Sequence, residues 1–205
     1  MPVAEPLPLF PLRAVLFPDG LVGLKVFEAR YLDLVARCLR EGTGFGIVCL
    51  QQGRETGTAA QGVKLERVGV VVRLDEVDAD GPGLLRVRGT GMERFRLAGT
   101  PAQQPDGLWT CAVEEVAADP LRAPGEAMQP TVQALQEAIR KLDEQGHQPF
   151  AEPYRFDDAG WVANRWCELL PVPLSAKQKL MELEDPVIRL SIVDGYLRDK
   201  SIVIG

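Results

Sequence analysis

Histidine is nearly missing from this chain: His147 is the single one in 205 residues. Serine is almost as scarce, occurring only as Ser175, Ser191 and Ser201. A histidine-assisted nucleophile or a histidine-rich metal site needs partners that such a composition does not supply. His147 follows a helical pattern in a Gly-Gln-Pro setting, the mark of a solvated loop position. Ser175 and Lys177 stand two apart, and residues so spaced on a helix do not face each other, so they make no serine–lysine dyad. No G-x-x-x-x-G-K-[ST] loop is present to cradle nucleotide phosphates. We therefore expect no enzyme, no cofactor and no metal.

Other absences narrow the class further. No apolar run approaches the length of a membrane span, and the opening MPVAEPLP has neither the basic flank nor the apolar stretch of a secretion signal. A cytoplasmic location without membrane association is expected. Cys38, Cys49, Cys111 and Cys167 form no C-x-x-C pair, and each lies in or beside an apolar run, where a free thiol packs as a small hydrophobe. The net charge is −6, with 13 basic and 16 acidic residues over 1–120 and 10 and 13 over 121–205. Neither half is a trap for polyanions, so nucleic acid is disfavoured as a partner. The acidic run at Asp75, Glu76, Asp78 and Asp80 falls on a strand end and its turn and reads as solvated.

What is present is a soluble-type composition, 46% hydrophobic and 25% charged, in a chain long enough to bury a core. Leu21–Phe27 suits a strand. Glu28–Arg40 reads as a helix, with Tyr31, Leu34, Val35, Cys38 and Leu39 at helical spacing and Gly42 to end it. "FGIVCL" (45–50) is a buried strand, and the glycine-bearing segment 51–62 has no periodicity and reads as a mobile loop. "VGVVVRLDEV" (68–77) is β-branched and ends in the turn "DADGPG". "LLRVRGTGMERFRL" (84–97) alternates on both sides of a glycine-containing centre, a hairpin pattern, and "LWTCAVEEV" (108–116) supplies another strand.

Beyond residue 117 the period changes. Val132, Leu135, Ile139 and Leu142 mark a helix stopping near Gly146. Asp157 or Asp158 caps a second, carrying Trp161, Val162, Trp166, Leu169 and Leu170. Ser175 with Gln178 matches a capping box, and Asp185-Pro186 opens a last helix whose buried stripe is Val187, Leu190, Val193 and Leu197. The expected fold is α+β: a strongly curved, mainly antiparallel sheet or small barrel with one inserted helix over 1–117, then a helical bundle over 118–205.

One polar constellation stands out. Arg86, Arg88, Arg94 and Arg96 alternate along both arms of the expected hairpin, so a register that aligns them gathers four guanidinium groups to grip phosphates or acidic peptide. The plainer alternative is the wet face of a two-sided sheet, balanced by Glu66, Glu93 and their neighbours.

The stretch "LPLFPLRAVLFPDGLVGLKVFEARYLDLV" resembles the start of the amino-terminal domain of Lon proteases. Pro8-Leu9-Phe10-Pro11, Phe17-Pro18-Asp19-Gly20 and Phe27-Glu28-Ala29-Arg30-Tyr31 stand where that family has a Pro-Leu-Phe-Pro leader, a Phe-Pro-Gly-type turn and a Phe-Glu-Pro-Arg-Tyr helix opening. The likeness continues through Phe45-Gly46, Val68-Gly69 and Gly91-Met92-Glu93-Arg94-Phe95, and resumes in "ELLPVPLSAKQKLMELEDPVIRL". Ala29 departs from the family's proline. The chain stops at Gly205, where a full Lon protease runs on into an ATPase and a serine–lysine protease, so a stand-alone domain is expected. No cysteine-rich zinc module of the kind fused to this domain in some eukaryotic proteins is seen. The resemblance implies a PUA-like first half, a helical second half, and a role in recognising substrate proteins and in assembly rather than in cleavage.

Three function classes follow. The first is a non-catalytic interaction module that binds exposed or unfolded polypeptide, with a protease or chaperone as further partner. Pro8, Pro11 and Pro18 stiffen the leader, so its apolar residues can be laid across the barrel as an edge segment. The groove residues would be Phe10, Arg13, Phe17, Phe27, Arg30 and Tyr31, between sheet and helices, although plain core packing is the commoner role for any one of the aromatics. The second is an RNA-binding PUA-like module acting through the arginines at 86, 88, 94 and 96. The third is a small-molecule binder or enzyme with a pocket where barrel meets bundle. Partner identity and oligomeric state are not encoded in any feature of the sequence.

Overall fold

β-Branched residues crowd the first 117 positions, and the chain uses them in strands. The computed structural model describes residues 5–57 and 62–203. Residues 58–61, within the expected loop over 51–62, and the first four of the opening MPVAEPLP lie outside the described residues. The chain divides into two compact units, Met1–Ala117 and Ala118–Gly205. Among the described residues no helix is long and apolar enough to cross a membrane.

The first unit is one mixed sheet. Its strands are β1 (Leu7–Leu12), β2 (Leu21–Val26), β3 (Phe45–Gln52), β4 (Lys64–Ala79), β5 (Leu85–Leu97), β6 (Ala102–Gln103), β7 (Trp109–Cys111) and β8 (Val113–Glu115). The order is β2-β5-β4-β3-β1-β7-β6, and β8 pairs with the far end of β5. Every pairing is antiparallel except β1 with β3. Helix α1 (Ala29–Glu41) provides the crossover between β2 and β3, and Gly42 ends it in the left-handed conformation with its N–H on the Cys38 carbonyl. Tyr31, Leu34, Val35 and Cys38 are buried, whereas Leu39 lies 56% exposed, one position off the inward stripe.

Two expectations are corrected here. The proline-rich leader is not an edge segment: β1 is flanked by β3 and β7, although each pairing spans only three or four residues. Prolines signal an edge because they withdraw ladder donors, but so short a strand loses few. The segment 84–97 is not a hairpin either; β5 runs unbroken through it. The long hairpin is instead β4–β5, closed where the Asp80 N–H bonds the Leu84 carbonyl. Gly89 and Gly91, which suggested a turn, permit close strand approach. A side chain at Gly89 would lie 2.5 Å from Val72 Cγ1, and one at Gly91 2.5 Å from the Phe17 carbonyl oxygen.

The second unit is helical: a 3-10 turn (Glu126–Met128), α2 (Gln129–Glu144), α3 (Ala159–Leu169), α4 (Leu174–Glu182) and α5 (Pro186–Asp199). Asp158 caps α3 through the Gly160 N–H, and Asp185 caps α5 through those of Val187 and Ile188. The expected capping box at Ser175 does not form; α4 starts two residues earlier with Pro173 at its cap, and Ser175 is an exposed helical residue. Val187 is 41% exposed and joins Ile188 and Ile192 on the outer side of α5, while Arg189 turns inward with Leu190, Val193 and Leu197. A buried guanidinium must spend its donors. Arg189 spends them on Asp119 at 2.5 Å, Asn164 at 3.1 Å, the Leu180 carbonyl at 2.8 Å and the Leu183 carbonyl. α3 is the central element, with Trp161, Val162, Trp166 and Cys167 all buried. Burial pushes the Cys167 thiol up to about 12, so it stays protonated and inert.

The Phe95 ring on β5 lies over Gly69 of β4 and reaches Gly46 of β3 beyond it. A Cβ at Gly46 would stand 2.6 Å from it and one at Gly69 2.5 Å. Below the ring, Leu9, Val48, Leu97 and Cys111 complete an apolar cluster. Gly69→Ala should therefore destabilise the protein by about 1–3 kcal/mol through overpacking. Urea unfolding measures this, and a midpoint unchanged from wild type would contradict the packing described.

Candidate functional site

The site grows from the junction of β2 and α1. β2 ends the sheet path, and among the described residues it pairs with β5 alone. Leu24 and Val26 point into the core while Lys25 stays in solvent. Phe27, one residue past the strand, is 56% exposed, a large apolar ring held in water by the short link between strand and helix. Glu28 precedes α1 in extended conformation but does not cap it. Its carboxylate instead accepts from Arg30 at 3.0 Å and from the Gly57 N–H at 3.2 Å.

Arg30 is 5% exposed. Its guanidinium donates to the Gly107 carbonyl at 2.7 Å and the Gly57 carbonyl at 2.8 Å. The same group lies 4.5 Å above the Tyr31 ring centroid, a cation–π distance. Tyr31 stacks on Phe10 with centroids 4.0 Å apart, and Phe10 in turn meets Phe45 at 5.8 Å. From the other side, the Arg13 guanidinium donates to the Gly53 carbonyl at 2.8 Å and the Arg13 backbone N–H to the Glu55 carboxylate. The segment 53–57 is thus fastened at both ends by two arginines.

Beneath that segment lies a cavity of about 210 Å³, bounded by Phe10, Leu24, Phe27, Tyr31 and Glu55 among others. It is smaller than the ~300–1,000 Å³ of drug-sized ligand sites. Its size and apolar floor suit an inserted side chain, and it opens beside the terminal strand of the sheet.

The structure separates the six expected groove residues. Phe27 is exposed at the mouth, Phe10 and Tyr31 form the floor, and Arg13 and Arg30 act through the overlying segment. Phe17 is fully buried and faces no groove. The four arginines of β5 do not converge. Arg88 and Arg94 are six residues apart on one strand, roughly 20 Å. Arg86 pairs with Asp80 at 2.7 Å and Arg88 with Glu76 at 3.2 Å, while the buried Arg94 donates to the Ala117 carbonyl at 3.0 Å. Asp75 is occupied by Arg73 and Thr90. The Lys177 ammonium donates to the Glu168 carbonyl, away from any partnership with Ser175. His147 is exposed in the loop after α2. Among the described residues no three His, Cys, Asp or Glu side chains gather as metal ligands.

A further cavity, about 570 Å³, went unnoticed in the sequence; Leu65, Leu97 and Trp109 line it together with Lys64 and Arg67. The only trace of it was a Lys-x-x-Arg pair at a strand start, a pattern too common to single out.

Residues 6–199 match the family model for the ATP-dependent protease La (LON) substrate-binding domain. A crystal structure of a Lon N-terminal domain protein from Xanthomonas campestris superposes with TM-score 0.75 at 29% identity, covering 93% of this chain and 97% of that one. The N-terminal domain of the Mycobacterium avium complex Lon protease shares the fold at TM-score 0.61 and 16% identity, covering 95% of this chain and 99% of that one. Among curated proteins none matches the chain.

Burial pushes the Tyr31 phenol up to about 12, with the Arg30 cation working against the shift. An unfolded tyrosine ionises near pH 10. Between those values the folded state keeps a proton that the unfolded state has lost, so this contribution to stability is full below about pH 10 and falls away as the pH rises towards 12. In a phenolate-absorbance titration, the step missing from Tyr31→Phe should centre near pH 12. A missing step near pH 10 would mean that the ring is not buried under Arg30.

Proposed function

Since the chain belongs to the family of the ATP-dependent protease La (LON) substrate-binding domain, we propose that it is a non-catalytic module that binds exposed or unfolded polypeptide through the groove beside β2. The observation that carries this proposal is Phe27, 56% exposed at the mouth of an apolar cavity and next to a strand with one partner. An extended segment adds to such a strand by main-chain hydrogen bonds and gains specificity from the side chains it inserts into adjoining pockets. Lys25 discourages indiscriminate edge-to-edge pairing of β2, so a bound segment must bring an apolar residue for the Phe10–Tyr31 floor.

Binding of this kind suits an adaptor that presents proteins for proteolysis, with a protease or a chaperone as its second partner. The four cysteines are all free and buried, in keeping with a cytoplasmic setting. RNA is the weaker alternative, because Arg86 and Arg88 are neutralised by carboxylates and Arg94 is buried.

Phe27→Asp should leave the thermal midpoint unchanged, since the ring is mostly in water, yet weaken binding of a reduced, carboxymethylated unfolded protein about tenfold or more. Fluorescence anisotropy with the labelled unfolded protein reads this, with Arg88→Glu as the control that binds normally. Equal affinity of the Phe27 variant and wild type would refute the groove.

A further inference from the structure

The larger cavity of the first unit has a lining unlike the rest of the surface. It is bounded by Leu65 on β4, Leu97 at the end of β5, Trp109 on β7 and the turn residue Pro101, with Lys64 and Arg67 alongside. Leu65 and Trp109 pack on the Leu9–Phe95 cluster, so the apolar floor is anchored in the core rather than carried by a loop. Leu65 and Arg67 are two apart on one strand and share a face, which sets the Arg67 guanidinium beside the apolar floor. Among the described residues no carboxylate lines the cavity, in a chain with 29 acidic residues against 23 basic ones. Among the described residues neither Lys64 nor Arg67 takes part in an ion pair, whereas Arg86, Arg88 and Arg73 all do.

Two unmatched cations over a tryptophan-and-leucine floor select a ligand with an apolar body and adjacent negative charge. We propose that this cavity is a second binding site, separate from the groove beside β2, and that its occupant is an acidic peptide segment in which a large apolar side chain is followed by carboxylates. The ring or branched side chain packs against Trp109 and Leu65, where aromatic contact adds to area burial. The carboxylates take charge-assisted hydrogen bonds from Arg67, whose planar fork suits them, and from Lys64. A volume of about 570 Å³ holds one large side chain with its flanking backbone. Single-stranded nucleic acid would need a longer track of cations than these two supply, on a protein of net charge −6. The site stands whether or not polypeptide binds beside β2, because none of the lining residues is shared.

The probes are a fluorescein-labelled peptide Gly-Ser-Gly-Phe-Asp-Asp-Gly, the same peptide with both Asp replaced by Asn, and a labelled oligothymidylate. Wild-type protein should bind the acidic peptide at least about tenfold more tightly than the amide peptide. The double variant Lys64→Glu, Arg67→Glu should lose that preference while keeping wild-type circular dichroism, since both side chains are exposed. Arg88→Glu, a charge reversal at a residue that lines neither cavity, should keep the wild-type preference, which assigns the loss to this site rather than to net charge. Equal binding of acidic and amide peptides, or an undiminished preference in the double variant, overturns the proposal. Tighter binding of the oligothymidylate, abolished by the same double variant, overturns the peptide as occupant.

Discussion

A guanidinium cannot be taken out of water cheaply, and Arg30 is almost wholly out of it. Leaving such a group without partners costs several kcal/mol. Arg30 avoids that cost by drawing separate parts of the chain to itself: the Gly107 carbonyl from the turn before β7, the Gly57 carbonyl from the segment after β3, and the Glu28 carboxylate from the start of α1. Its flat face also covers Tyr31, which fixes the ring that stacks on Phe10. The floor of the groove beside β2 and one end of the segment over it are thus set by one side chain. Arg30 is a positioning residue: its two terminal amino groups donate within the protein, and the polypeptide would meet the surfaces that it arranges.

The second unit solves a similar problem with other residues. Arg189 joins Asp119, Asn164 and the carbonyls that end α4, tying the segment before α2 to three helices of its own unit. Buried arginines bonded to backbone carbonyls and carboxylates act as fasteners in both units, each within its own core. They hold irregular segments that the hydrophobic effect alone grips weakly, because loops expose more backbone than apolar surface.

Periodicity made the elements of this fold legible, and its failures have local causes. The α1 stripe apart from Leu39, a cap at Asp157 or Asp158, the Asp185 cap and the run of strands could be named from spacing alone. β5 could not, because glycine serves both turns and close strand approach; only the Val72 side chain and the Phe17 carbonyl decide which role Gly89 and Gly91 play. Ser175 and Gln178 have capping-box spacing, but Pro173 starts the helix first. For the site, the leader's aromatics were recognisable as a group, yet Phe17 at 0% and Phe27 at 56% exposure look alike in sequence. Arg13 and Arg30 were legible as polar residues near those aromatics, but their partners are backbone carbonyls tens of residues away. The cavity at Trp109 assembles from β4, β5 and β7, so no single window of sequence contained it.

The proposed function requires extended polypeptide to dock along β2 over the cavity floored by Phe10 and Tyr31. Amide hydrogen exchange, followed residue by residue with and without a saturating unfolded protein, tests it most directly. Binding should slow exchange at the alternate amides of Leu21–Val26 that do not bond β5, with little change elsewhere in the first unit, because a docked strand supplies acceptors to the open side of β2. Unchanged exchange along β2 while binding is saturated, or protection confined to another surface, would contradict it.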